Sequence, residues 1–162
     1  VRRRPVRGLR QDRAEPEVAV SCGARLDWVL WRASKQLRDR AQLRAADLRA
    51  APPLHFVEVK NVSLAASGVA LFPDSVSSRA ARHMEVLAEL VRMGHTAEIV
   101  YTVQRSDASS FAPADGIDPA YGQAFRRAVA AGVRVSPYVC AVRRTGVTLN
   151  TGKPLPLLAL PD

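Results

Sequence analysis

The run Phe56-Val57-Glu58-Val59-Lys60 reads as a strand that carries an acid and a lysine two residues apart. Alternation puts Glu58 and Lys60 on one face and Val57 and Val59 on the other. On a segment otherwise built for burial, such a pair is costly unless the two groups pair, bind a metal or line a cleft. A second acid, Asp27, interrupts the apolar run Leu26-Asp27-Trp28-Val29-Leu30. If those strands pair, Asp27 and Glu58 converge on one hard cation, because Mg²⁺ takes one or two carboxylates and completes its shell with waters and phosphate oxygens. Lys60 would stand beside it. Metal-assisted phosphodiester hydrolysis needs this set: a cation to polarise the phosphate and lower the pKa of a water, and a lysine to orient that water or stabilise charge. A solvated edge or a surface ion pair fits the same spacing, and the pattern alone leaves these readings open.

Other candidates are weaker. His83 falls on a helix one position before its core stripe, with Arg79 and Arg82 near it, so it reads as a boundary residue or as a capping or phosphate contact. His55 and His95 share no metal-ligand spacing with it, and three histidines supply no Ser-His-Asp motif. Gln104 and Arg105 end a buried strand, where a polar pair either faces a site at the carboxyl edge of a sheet or makes a loop contact. Trp28 and Trp31 lie on opposite faces of their strand and read as core or covered residues before a base-stacking platform.

The elements that must hold these residues follow from periodicity. Val18 to Val20 and Arg25 to Trp31 flank a Ser21-Cys22-Gly23-Ala24 turn and form a hairpin. Ser34 to Ala51 is a weak amphipathic helix stopped by Pro52-Pro53, and His55 to Val62 is a strand. Ser77 or Ser78 caps a helix whose stripe is Met84, Leu87, Ala88 and Val91, and Gly94 stops it. Thr96 to Val103 is a strand buried on both faces. Asp118-Pro119 starts a helix with a stripe of Tyr121, Phe125 and Val129, closed by Gly132. A strand over Val133 to Val142 then turns at Thr145-Gly146 into Val147 to Leu149. The order implies an α/β fold, a mixed sheet covered by helices, with one strand-helix-strand crossover.

With 162 residues and 48% apolar content, the chain suffices for one domain with a sizeable core. Its net charge of +9 disfavours acidic solubilising or calcium-buffering roles and favours a polyanion such as DNA. Residues 1–50 hold 13 basic residues against 6 acids, so the surplus is N-terminal. Residues 1–16 lack any periodicity that could bury a face and read as a flexible basic arm, whose Arg2, Arg3, Arg4, Arg7, Arg10 and Arg13 are candidate phosphate contacts. Arg outnumbers Lys 21 to 3, which a GC-rich genome would explain, but that leaves the surplus itself unexplained. Two cysteines, Cys22 and Cys140, make neither a disulfide framework nor a C-x-x-C pair, and a reducing cytoplasm fits. No apolar run approaches the roughly 18 residues of a membrane span, so no membrane role is expected.

Several uncommon blocks together resemble the sugar fermentation stimulation protein A (SfsA) family. They are Val57-Glu58-Val59-Lys60-Asn61-Val62-Ser63-Leu64, Val69-Ala70-Leu71-Phe72-Pro73-Asp74, Arg82-His83, Val103-Gln104-Arg105-Ser106-Asp107, Phe111-Ala112-Pro113-Ala114-Asp115 and Ile117-Asp118-Pro119-Ala120-Tyr121-Gly122. The resemblance covers about 17–31 and 54–156. It implies a DNA-binding protein with an N-terminal OB-fold domain and a C-terminal restriction-endonuclease-like domain of the PD-(D/E)xK kind. Position by position, Asp27 matches the acid of the family's Ser-Arg-x-Asp block, Glu58 and Lys60 match its Glu-x-Lys pair, and Glu17 matches the acid that precedes the block. The resemblance also implies Mg²⁺ or Mn²⁺ on the carboxylates, with help from the Val59 carbonyl. Ser21 and Ala24 depart from the family's usual Gly and Ser, and residues 32–53 form an insertion that matches nothing in it. Residues 1–16 do not supply the five strands of an OB-fold, so that domain is expected to be absent from this chain, with 17–156 as the nuclease-like domain and 157–162 as a tail.

Three functions follow. The chain is a DNA-binding regulator in which the acids form a cation site or a structural ion pair, a metal-dependent DNA endonuclease, or an inactive truncated remnant. Ligand residues alone do not show turnover, and the sequence gives neither a DNA preference nor an oligomeric state.

Overall fold

The computed structural model describes residues 13–20, 24–31, 45–51 and 53–158. In chain order its elements are β1 (Arg13–Val20), β2 (Ala24–Trp31), α1 (Ala45–Ala50), β3 (His55–Val62), β4 (Leu64–Ala66), β5 (Val69–Phe72), α2 (Ser78–Arg92), β6 (Thr96–Val103), β7 (Ser110–Pro113), α3 (Pro119–Ala130), β8 (Arg134–Arg143) and β9 (Gly146–Leu149). A six-stranded mixed sheet runs β1-β2-β3-β6-β8-β9. β3, β6 and β8 are parallel, and the flanking strands β1, β2 and β9 join by antiparallel pairing. Parallel neighbours need a crossover, and α2 and α3 supply two of them where the sequence pattern implies one. The helices pack on each other, with α2 also lying on β2 and β6.

β1 begins at Arg13, opposite Trp31, so the basic arm expected over 1–16 gives way to strand four residues early. Pro16 is tolerated there because β1 is an edge strand and can lack one amide donor. Of the helix expected over 34–51, α1 is its end, seated by the fully buried Leu48, while 32–44 lie outside the described residues.

A second sheet, β4-β5-β7, goes beyond the elements that periodicity implies. Its β4–β5 hairpin turns at Ser67 and Gly68, both at positive φ (49° and 79°), the conformation that a two-residue hairpin turn requires. Strands of three and four residues are too short for alternation to show, so the Ser-Gly pair is the signal that the sequence offers.

The helix ends match the capping chemistry. The Ser77 side chain accepts from Ala80 N, and Gly94 takes φ 94° after α2. Asp118 does more than cap α3: Oδ1 accepts from Tyr121 N (2.9 Å) and Oδ2 from Ser77 N (2.8 Å), tying the two helix starts together. α2 buries Met84, Leu87 and Ala88 as expected, and also His83, Val86 and Leu90, because a helix covered by both sheet and α3 hides more than one stripe. Tyr101, Phe111, Tyr121, Phe125 and Phe72 form the aromatic part of the core, with ring centroids 4.3 to 6.2 Å apart.

A buried polar cluster lies on the other face of the large sheet. Glu98, in the otherwise apolar β6, accepts from Ser136 Oγ (2.5 Å) and lies 2.9 Å from Arg134 Nη2 and 3.5 Å from His55 Nε2. Its Oε2 is held by these charges without a well-aligned hydrogen bond. Burial disfavours the ionised carboxylate, but the contacts from His55, Ser136 and Arg134 outweigh it and leave the Glu98 pKa below its ordinary value. Such a group stabilises the fold fully above the ordinary carboxylate pKa of about 4.3, and its contribution fades as pH falls from there through the lowered folded-state value. Glu98→Gln is therefore expected to cost about 1.5–3 kcal/mol near neutral pH, the range for a hydrogen bond to a charged group, and less in acid. Urea midpoints measured across pH check this; a deficit that does not shrink in acid would contradict it.

Candidate functional site

β2 pairs with β3 only over Trp28 to Leu30, and the ladder ends at the Trp28–Val57 pair. Beyond that point Asp27 bridges the two strands with its side chain. Its Oδ2 accepts from Val59 N at 2.7 Å, and its own N–H reaches Glu58 Oε2 at 3.4 Å. The local sequence explains the position: Val29 and Asp27 share a face of β2, Val29 is fully buried, and Asp27 is half-buried where the strands part.

Glu58 faces α2 together with the buried Phe56 and Val62, while Val57 is half-buried and Val59 is 36% exposed on the opposite face. The acid-lysine face is thus the more deeply covered one. Glu58 is 2% exposed, and its Oε1 accepts from Lys60 Nζ at 2.5 Å and is also bound to His83 Nδ1. Lys60 Nζ lies 3.4 Å from the same ring nitrogen. Burial disfavours the ionised Glu58, but the hydrogen bonds and charges of His83 and Lys60 prevail, so its pKa lies below the ordinary value. The carboxylate is held as an anion. On the same face Tyr101, level with Lys60, shares a hydrogen bond with Tyr121, and burial raises both phenol pKa values.

His83 is therefore no boundary residue. It is 3% exposed and completes a Glu58-Lys60-His83 cluster, a role hidden in the sequence because only the seating of α2 on the sheet brings that side of the helix onto β3. Glu17 lies between the Pro16–Trp28 and Val18–Leu26 pairs, level with Asp27. It takes φ 52°, a left-handed conformation that costs a non-glycine residue roughly 1–2 kcal/mol. Its carboxylate is exposed and lies 3.9 Å from the Arg25 guanidinium, its ion-pair partner. Among the described residues no group of three or more His, Cys, Asp or Glu side chains is arranged to hold a metal. A cation here would draw on Asp27 and Glu58 and complete its shell with other oxygens.

Gln104 and Arg105 follow the end of β6 but turn to local partners. Gln104 Nε2 donates to Asn61 Oδ1 (2.7 Å), and Arg105 makes a two-pronged pair with Asp107 (2.9 and 2.7 Å). Of the arm residues, Arg2, Arg3, Arg4, Arg7 and Arg10 lie outside the described residues, and Arg13 opens β1. Cys140 is a buried free thiol, and Cys22 lies outside the described residues. Among the described residues no helix is long and apolar enough to cross a membrane.

A family model described as the sugar fermentation stimulation protein RE domain, SfsA, matches residues 4–146. The sugar fermentation stimulation protein homolog of Bdellovibrio bacteriovorus is 43% identical over 139 residues, covering 86% of this chain and 51% of that protein. Its counterpart in Geobacter sulfurreducens is 38% identical over 151 residues, covering 93% and 56%. The chain spans about half the length of the curated relatives it matches. Among solved structures, Pyrococcus furiosus SfsA in complex with Ca²⁺ matches with a TM-score of 0.70 at 24% identity, over 90% of this chain and 54% of that one. The mixed sheet and its two helical crossovers accordingly form the α/β fold shared with that solved structure, and the chain belongs to the sugar fermentation stimulation protein family.

Proposed function

We propose that this chain binds DNA and holds one Mg²⁺ or Mn²⁺ between Asp27 and Glu58. The observation that carries this reading is the convergence of two carboxylates from separate strands with one oxygen each still available. Asp27 Oδ1 has no hydrogen-bond partner among the described residues, and Glu58 Oε2 has only the long 3.4 Å contact with Asp27 N. Two carboxylates suit a hard cation that keeps waters or takes phosphate oxygens, and the Val59 carbonyl is the next donor to consider. The relative from Pyrococcus furiosus is described in complex with Ca²⁺, another oxygen-seeking cation, which supports a cation-binding reading for this chain. Bound there, the cation would supply charge neutralisation to a phosphodiester. The net charge of +9 supports DNA as the source of that phosphate.

Cleavage is a second reading, favoured by Lys60. Its ammonium sits on the Glu58 carboxylate, positioned to orient a water or to meet charge developing on a phosphate.

Titration calorimetry with Mn²⁺ tests the site. Wild type is expected to give saturable heats that Asp27→Ala loses, since Asp27 is half-buried at the fork and its removal spares the core. Equal heats in the two proteins would mean that the acids form no cation site.

A further inference from the structure

β8 outruns the sheet. Val62, Val103 and Val139 lie level across β3, β6 and β8, and Val103–Val139 is the last pair between β6 and β8. Cys140 to Arg143 pair only with Gly146 to Leu149, so the end of the hairpin projects beyond the carboxyl edge as a two-stranded ribbon. Every residue from Ala141 to Thr148 is exposed, which means that both ribbon faces are uncovered. Val142 and Val147 are cross-strand partners and each is 56% exposed, an apolar pair left in water. Residues 137–152 contain two charged side chains, Arg143 and Arg144, and no acid. Neither guanidinium is matched to a carboxylate among the described residues, although Arg105, Arg126 and Arg134 all are.

We infer that the β8–β9 ribbon is a DNA-contacting element that enters the major groove of a duplex, with Arg143 and Arg144 on phosphates or base edges and the Val142–Val147 pair against the groove wall. This rests on the DNA-binding reading above. The dimensions agree: four residues beyond the sheet reach about 13 Å at 3.3 Å each, enough for a groove about 8.5 Å deep, and a groove about 12 Å wide admits a two-stranded ribbon. An unpaired basic tip without acids fits a polyanion, and exposed valine methyls fit the thymine methyls of that groove. The ribbon also leaves the sheet from the edge toward which β3 runs past Lys60. Pro137 is level with Lys60 through Tyr101, so Arg143 lies six residues further along, on the order of 20 Å. A duplex seated on the ribbon would touch the protein about six base pairs from the acid-lysine site, at about 3.4 Å per base pair.

The test is fluorescence anisotropy with a short labelled duplex across a salt series, on the full chain. Wild type should bind with a steep salt dependence. Arg143→Ala/Arg144→Ala should bind about tenfold more weakly at low salt, with a log K against log salt slope shallower by about 1.8, or about 0.9 for each phosphate no longer neutralised. Its thermal midpoint should not move, because both side chains are exposed. Val147→Ser should weaken binding a few-fold and leave the slope alone. Unchanged affinity and slope in the double variant, with wild type still binding, would overturn the ribbon and leave the DNA-binding reading intact. Failure of wild type to bind the duplex would overturn both. Sedimentation that showed wild-type dimers dissociating in Val147→Ser, with duplex affinity unaffected, would assign the ribbon to a second copy and overturn the proposal.

Discussion

Glu58→Ala is expected to cost the fold about 3–5 kcal/mol, the range for removing one partner from a buried charge pair. Functional acids often cost stability, and their removal then strengthens a protein. Here the reverse is expected, because Glu58 Oε1 is engaged by two buried nitrogens. Lys60, with its side chain 16% exposed, and His83, at 4%, both direct a nitrogen at Oε1. Without the carboxylate, an ammonium and an imidazole remain beneath α2 with no partner, and a void opens beside Phe56 and Val62. Glu58→Gln keeps the volume and one acceptor oxygen and should fall between wild type and alanine. Urea unfolding near neutral pH, in the absence of divalent cations, measures the effect. A midpoint for Glu58→Ala equal to or above that of wild type would mean that the cluster stores strain and does not stabilise the fold.

Cleavage, if it occurs at this site, is expected to depend on Lys60 by at least about two orders of magnitude, the loss typical when a group that stabilises transition-state charge is removed. Supercoiled plasmid incubated with the protein and Mn²⁺ should be nicked, and Lys60→Ala should nick it at about one hundredth the rate while binding DNA within about twofold of wild type. A side chain that acts only as the reaction proceeds changes the rate far more than the affinity. Lys60→Ala also removes a charge from the Glu58 cluster, so its thermal midpoint should be compared with wild type before the rates are. Nicking that persists at the wild-type rate in Lys60→Ala would exclude the assigned role, and wild type that binds without nicking would leave the cation-dependent binder.

The local readings that succeed rest on short-range physics. β3 and β6 have the bounds that their patterns imply, and α2 and α3 start at Ser77 and Asp118, because strand alternation and capping are settled by residues a few positions apart. The acid-lysine pair is legible for the same reason: Glu58 and Lys60 share a face of any strand they occupy. Asp27 is legible as an anomaly, one acid in an apolar run. Glu98 is an anomaly of the same kind, concealed by the apolar content of the strand around it.

What the tertiary structure decided depends on which surfaces meet. Sequence spacing shows that Glu58 and Lys60 lie opposite the valines, but only the seating of α2 made the charged face the buried one. It took the seating of α2 on the sheet to bury His83 on Glu58, and the early end of the β2–β3 ladder to free Asp27 for Val59 N. Glu17 matches the site by position along the chain, yet its left-handed backbone and the neighbouring Arg25 leave its carboxylate in solvent. Each of these outcomes turns on partners 8 to 32 residues away, and a one-dimensional pattern cannot choose among such partners because the energy that selects them is the burial gained when separate elements pack.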